Sequence, residues 1–133
     1  MEWWEQVEPK VFNTTKVRLQ NAIGTAFPDI YYTTQIQTLS ESQFPCVYMH
    51  LMDSYEIGGD TEGLTINGME ATFQCEAYVN TTQDDCVTIM SAMLTQLKKM
   101  RFSISGFPVY TSNGNVFRGV IRARRIIGAN DNL

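Results

Sequence analysis

From residue 69 to residue 80 apolar and polar side chains alternate without interruption: Met69, Ala71, Phe73, Cys75, Ala77 and Val79 against Glu70, Thr72, Gln74, Glu76, Tyr78 and Asn80. A β-strand sends successive side chains to opposite faces, so this run predicts a strand with one face on a helix layer and the other on solvent or another subunit. The next segment has a different period. Thr81 or Thr82 stands at the N-cap position, Asp84 and Asp85 occupy a first turn where the helix dipole favours acids, and Lys98, Lys99 and Arg101 fall at the carboxyl end. Val87, Met90, Met93, Leu94, Leu97 and Met100 recur at helical spacing and make the apolar face. A strand running straight into an amphipathic helix predicts a sheet backed by helices.

The flanking segments extend this pattern. Pro9 suits the first turn of a helix, and Phe12, Thr15, Leu19, Ala22, Ile23 and Ala26 share one face over about 17 residues, with Phe27-Pro28-Asp29 as the stop. Residues 30–39 read as extended, and residues 40–43 as a polar turn. In the strand starting at Phe44-Pro45-Cys46, Val47, Met49 and Leu51 share one face, and Cys46, Tyr48, His50 and Met52 the other. Residues 54–63, with Gly58-Gly59 and acids around them, read as a flexible acidic loop, and Asn67-Gly68 as a tight turn before the alternating strand. Residues 102–111 and 116–127 flank an Asn113-Gly114 pair that favours a hairpin. The expected fold class is α+β: a mainly antiparallel sheet packed against two amphipathic helices, in the order helix, strands, helix, two strands.

At 133 residues the chain suits a single domain, with residues 1–8 as an N-terminal arm. Charged residues make up 18% of it, fewer than an average free monomer carries, so part of the surface is expected to lie under partners. Cys46, Cys75 and Cys86 form no CxxC pair and meet a single histidine; they read as free thiols in a reducing compartment rather than a disulfide framework or zinc site. No stretch approaches 18 uncharged apolar residues, and Met1-Glu2-Trp3-Trp4-Glu5 is acidic where a signal peptide is basic, so no membrane span or export is expected.

Catalytic patterns are weak. His50 sits between apolar neighbours without a nucleophile at meaningful spacing and reads as a packed or interface imidazole. The acids Asp53, Glu56, Asp60 and Glu62 match no calcium loop, and Gly58-Gly59 lacks the Lys-Ser/Thr pair of a phosphate cradle. Neither catalytic nor metal-ligating nor cofactor-binding residues are expected, and the chain reads as a non-enzyme. Its charges are segregated: Lys98, Lys99, Arg101, Arg118, Arg122, Arg124 and Arg125 hold seven of the ten bases, with no acid between Asp85 and Asp131. Arg118, Arg122 and Arg124 would project together from the last strand, either toward acids of a neighbouring subunit or toward phosphates. The net charge of -4 favours the former.

These residues resemble the tail terminator, or tail-to-head joining, proteins of long-tailed bacteriophages. The resemblance is carried by the helix over 11–27, Phe44-Pro45-Cys46-Val47-Tyr48, the strand 71–79 leading into the helix 84–100, and the arginine-bearing run Phe117-Arg118-Gly119-Val120-Ile121-Arg122-Ala123-Arg124. It implies a structural virion protein, assembled in the host cytoplasm and located in the tail or neck. Such a protein forms a homo-oligomeric ring, commonly of six subunits, that caps the tail tube, meets the head connector and lets DNA pass without specific binding. Interface candidates are then Trp3, Trp4, Glu70, Glu76, Arg118, Arg122 and Arg124. Trp3 and Trp4 stand outside the family's pattern and read as a docking arm or as packing over the first helix. The alternatives are a phage or bacterial adaptor that forms no ring, and an enzyme whose pocket is assembled from distant residues.

Overall fold

A computed structural model describes residues 2–35, 44–59, 63 and 65–133. A 3-10 turn, Trp3–Gln6, leads into helix α1 (Val7–Ile23), followed by strands β1 (Tyr31–Thr33), β2 (Cys46–Ile57) and β3 (Gly68–Val79). Helix α2 (Gln83–Lys99) then precedes a hairpin of β4 (Ser103–Asn113) and β5 (Val116–Gly128). The five strands form one sheet in the order β1-β2-β3-β5-β4. Among the described residues the β1–β2 pair is parallel and the other three pairs are antiparallel. The fold class is therefore α+β, as the order of periodic segments predicts.

The core lies where the alternation places it. Met69, Ala71, Phe73, Cys75, Ala77 and Val79 all point into it, together with Ile121, Ala123 and Ile127 of β5. Above them α2 buries Cys86, Ile89, Met90, Met93 and Leu97. Phe73 and Phe102 meet edge to face, their ring centroids 6.0 Å apart. Gly119 is required by the close approach of α2: a Cβ there would stand 2.6 Å from Met90 Cγ and 3.1 Å from Tyr110 Cε1. The helix thus sits directly on the β5 backbone.

Both ends of α2 have a local cause. Thr82 Oγ1 accepts a hydrogen bond from the Asp85 amide at 3.2 Å. At the other end the Phe102 amide donates to Leu97 O and the Arg101 amide to Lys98 O, a Schellman pattern with Arg101 in the left-handed region at φ 68°. The Arg101 guanidinium bonds the Asn132 carbonyl and Asp131, which holds a non-glycine residue in that conformation.

Several segments depart from the sequence expectation. Helix α1 starts before Pro9 and buries Val7, Val11, Thr15 and Leu19, whereas Ala22 in its last turn and Ala26 beyond its end at Ile23 are exposed. Residues 1–8, expected as an arm, are helical from Trp3 onward; Glu2 and Glu5 form a capping box, and Trp3 packs on the core. Strand β1 stops at Thr33, whose hydroxyl accepts from the Gln35 amide at 3.1 Å and turns the chain locally. Residues 36–39 of the expected strand and the expected turn at 40–43 lie outside the described residues.

Residues 54–57, expected in a loop, continue β2, because β3 offers paired partners from Thr72 back to Gly68. A register shift between Leu51 and Asp53 marks the place where this extension begins. Asp53 and Glu56 are therefore strand residues, while Asp60 and Glu62 lie outside the described residues. Asn67-Gly68 is no hairpin turn: Gly68 opens β3, and Asn67 Nδ2 donates to Gly58 O at 2.8 Å across the strand ends. The hairpin at Gly114 forms as expected, with φ 62° at the first of two loop residues.

Leu97 is fully buried between α2 and the sheet. Leu97→Ala should cost about 2–5 kcal/mol in reversible urea denaturation. A loss below about 0.5 kcal/mol would place the core face elsewhere.

Candidate functional site on the outer sheet face

The sheet face away from the helices is built of cross-strand rows. Tyr48, Glu76, Val120 and Val109 are aligned in one, with His50, Gln74, Arg122 and Gly106 beside them. On one side of these lies the row Cys46, Tyr78, Arg118 and Thr111, and toward the other end of the sheet the row Tyr55, Glu70 and Ile126. The strict period of β3 and β5 sends every second residue here, which is why the acids of one strand face the arginines of the other.

Glu76 is the hub. Although it belongs to the outward row, it is only 3% exposed. Its carboxylate accepts from Tyr78 OH at 2.8 Å, Gln74 Nε2 at 3.0 Å and Arg118 Nε at 2.6 Å, and it forms an ion pair with the Arg118 guanidinium. Arg118 Nε also donates to Tyr78 OH at 3.1 Å. Burial alone pushes the Glu76 carboxyl upward, but these hydrogen bonds and the guanidinium charge outweigh it and hold the group below the ordinary carboxylate range. A carboxylate paired and hydrogen-bonded in this way is a structural anion.

The expected arginine row is real but unequally committed. Arg118 is tied to Glu76, Arg122 Nε donates to Gln74 Oε1 at 3.2 Å, and Arg124 stands 3.7 Å from Glu70. Arg122 and Arg124 are exposed, so their charges remain available to a partner. Arg125 faces the other way, buried against Asp131 at 2.7 Å. Of the sequence-derived candidates, the fold brings Glu70, Glu76, Arg118, Arg122 and Arg124 onto this face; Trp3 and Trp4 are not among them, Trp3 packing on the core and Trp4 lying exposed.

Sequence reasoning missed the apolar part of the face. On β4 Phe107 is 72% and Val109 63% exposed, and Ile126 and Tyr55 are also exposed. Around Phe107, Val109 and Val120, between Arg118 and Arg122, runs a cleft of about 340 Å³. A larger hollow of about 380 Å³ lies over Cys46, Tyr48, Tyr78 and Arg118. Burial, followed by the charge of Glu76, pushes the Cys46 thiol up to about 11, which keeps it protonated and a poor nucleophile near neutral pH. His50 stacks on Tyr48 with ring centroids 4.8 Å apart, as expected for a packed imidazole. Among the described residues no group of three or more His, Cys, Asp or Glu could hold a metal ion, and no helix is long and apolar enough to cross a membrane.

The chain matches no protein-family model and no curated protein. Among solved structures it is similar to the sheath/tube terminator of an extracellular contractile injection system, PVC, determined by cryo-electron microscopy in the extended state. The identity is 13% and the TM-score 0.41, over 86% of this chain and 56% of that one. The chain thus spans little more than half the length of that terminator.

The Glu76 network makes a pH-dependent prediction. A carboxyl with a depressed folded pKa contributes stability that is present above its unfolded value and lost as pH falls through the folded one. Arg118→Ala should cost about 1–2 kcal/mol near neutral pH, less than a fully buried pair because the Arg118 side chain is 40% exposed. The gap to the parent should narrow below the ordinary carboxylate range, where the parent's Glu76 also takes up a proton. Urea denaturation across that range measures it; a gap independent of pH would mean that Arg118 acts by packing alone.

Proposed function

We propose that this chain is a structural virion protein that caps the tail tube of a long-tailed bacteriophage as a homo-oligomeric ring and joins it to the head connector. The observation that carries this reading is the outer sheet face: exposed apolar side chains at Tyr55, Phe107, Val109 and Ile126 beside the exposed cations Arg122 and Arg124. Soluble monomers rarely leave apolar groups clustered with arginine on one face, and that composition marks protein interfaces. The polar groups of the same face are hydrogen-bonded to one another instead of converging on a reactive point. The order of elements and the arginine-bearing last strand are those on which the resemblance to tail terminators rests. In that setting the ring sits at the tail or neck, and DNA passes it without sequence-specific contact.

Mixing the purified protein with cognate tail tubes and imaging them by electron microscopy tests the proposal. Tubes should acquire a ring at one end and stop growing. Arg122→Glu should reduce capping while changing fold stability by no more than about 0.5 kcal/mol, since the residue is exposed and holds one long hydrogen bond. Tubes that elongate unaltered would overturn the reading. Normal capping by the variant, with loss of a steeply salt-dependent affinity of the parent for random duplex DNA, would assign the arginines to phosphate instead.

A further inference from the structure

The two flanks of the sheet differ in chemistry. At one end of the strand order lies β4, whose eleven residues, Ser103–Asn113, include no charged side chain. Phe107 and Val109 project from it, with Arg122 and Arg124 exposed on the neighbouring β5. At the other end β1 covers β2 only at Cys46, Val47 and Tyr48. Beyond it, among the described residues, no strand pairs with Met49 to Ile57 on the side away from β3. Glu8 reaches Leu51, its carboxylate accepting from the backbone amide at 2.7 Å, but Met52, Asp53, Tyr55 and Glu56 remain exposed. One flank is apolar and basic. The other is apolar and acidic.

From this asymmetry we infer that the β4 flank of one copy docks against the open β2 flank of the next copy, head to tail. The inference rests on the ring reading above and names the surfaces that would build it. Charge disfavours the symmetric alternatives: two β4 flanks would bring Arg122 and Arg124 toward their own copies, and two β2 flanks would oppose Asp53, which shares the outward face with those arginines, to itself. Only the mixed pairing sets arginine against carboxylate with apolar side chains between. Pro108, which has no amide hydrogen, and the register shifts at Gly106 interrupt the regular backbone edge of β4. They disfavour a ladder between two β4 strands and leave the contact to side chains, Phe107 and Val109 against Met52 and Tyr55. In a head-to-tail arrangement that keeps the sheets facing the same way, β4 runs antiparallel to the next copy's β2, because β2, β3, β5 and β4 alternate in direction. A contact between different surfaces on opposite sides of one subunit repeats until it closes, which yields a ring when the rotation permits.

Thiol cross-linking of full-length single-cysteine variants tests the pairing. Val109→Cys and Tyr55→Cys both alter exposed side chains, and the native cysteines are buried. With a short bis-maleimide, an equal mixture of the two variants should give covalent dimers, while either variant alone should give none. The double variant should give a ladder ending at the size of the parent oligomer. Dimers from Val109→Cys alone would show a two-fold β4 contact and overturn the inference. A parent that forms rings while the mixture stays uncross-linked would overturn the named surfaces and leave the ring reading standing. A parent and a mixture that both remain monomeric would remove both.

Discussion

Strand β3 lies at the centre of the sheet with its inward row buried, and the arrangement of the molecule follows from meeting that requirement. Its inward row, from Met69 to Val79, consists of fully or nearly fully buried side chains that need a roof. Helix α2 supplies it immediately downstream, and α1 completes it with Val11, Thr15 and Leu19. The Thr15 hydroxyl lies between the two, donating to Val11 O at 2.8 Å and standing 3.6 Å from Met100 Sδ. The outward row brings a carboxylate, Glu76, into the same central strand. Burying that charge is tolerable only when it is hydrogen-bonded and paired, and its neighbours on β3 together with Arg118 of β5 meet that demand.

The same requirement divides the arginines of β5. Arg118 is held by Glu76 and belongs to the fold; Arg125 is held by Asp131 beneath the sheet end. Arg122 and Arg124 make looser contacts and keep their exposure. The β5 arginines free to act on a partner thus lie near the β4 side, beside Phe107 and Val109, the most exposed large apolar groups among the described residues.

Local signals carried most of what the sequence could tell. The two-residue alternation of β3, the caps of α2 and the Asn113-Gly114 hairpin are each written within a few turns or strand repeats, and each appears where expected, whereas the buried face of α2 is turned so that Cys86 and Ile89 enter the core and Val87 and Leu94 stay half-buried. The failures are non-local. Residues 54–57 carry polar and acidic side chains that read as loop, yet they are strand because β3 extends alongside them. Val7 escaped because Pro9 drew the helix start downstream, although proline is tolerated anywhere in the first turn. The burial of Glu76 could not be read from its position in an alternating strand, since the partner that decides it lies 42 residues away. Phe107 and Val109 carried no warning of exposure, because their surroundings are set by an edge position that only the strand order reveals.

Under the proposed head-to-tail contact, the β4 and β2 flanks of one subunit are complementary and the free chain closes on copies of itself. Native mass spectrometry of the unmodified protein over a range of concentrations tests it most directly. One discrete closed oligomer is expected, stable on dilution into low salt and weakened by high salt as arginine–carboxylate contacts are screened. A monomer at every concentration, or an even ladder of open chains without a preferred size, would contradict it.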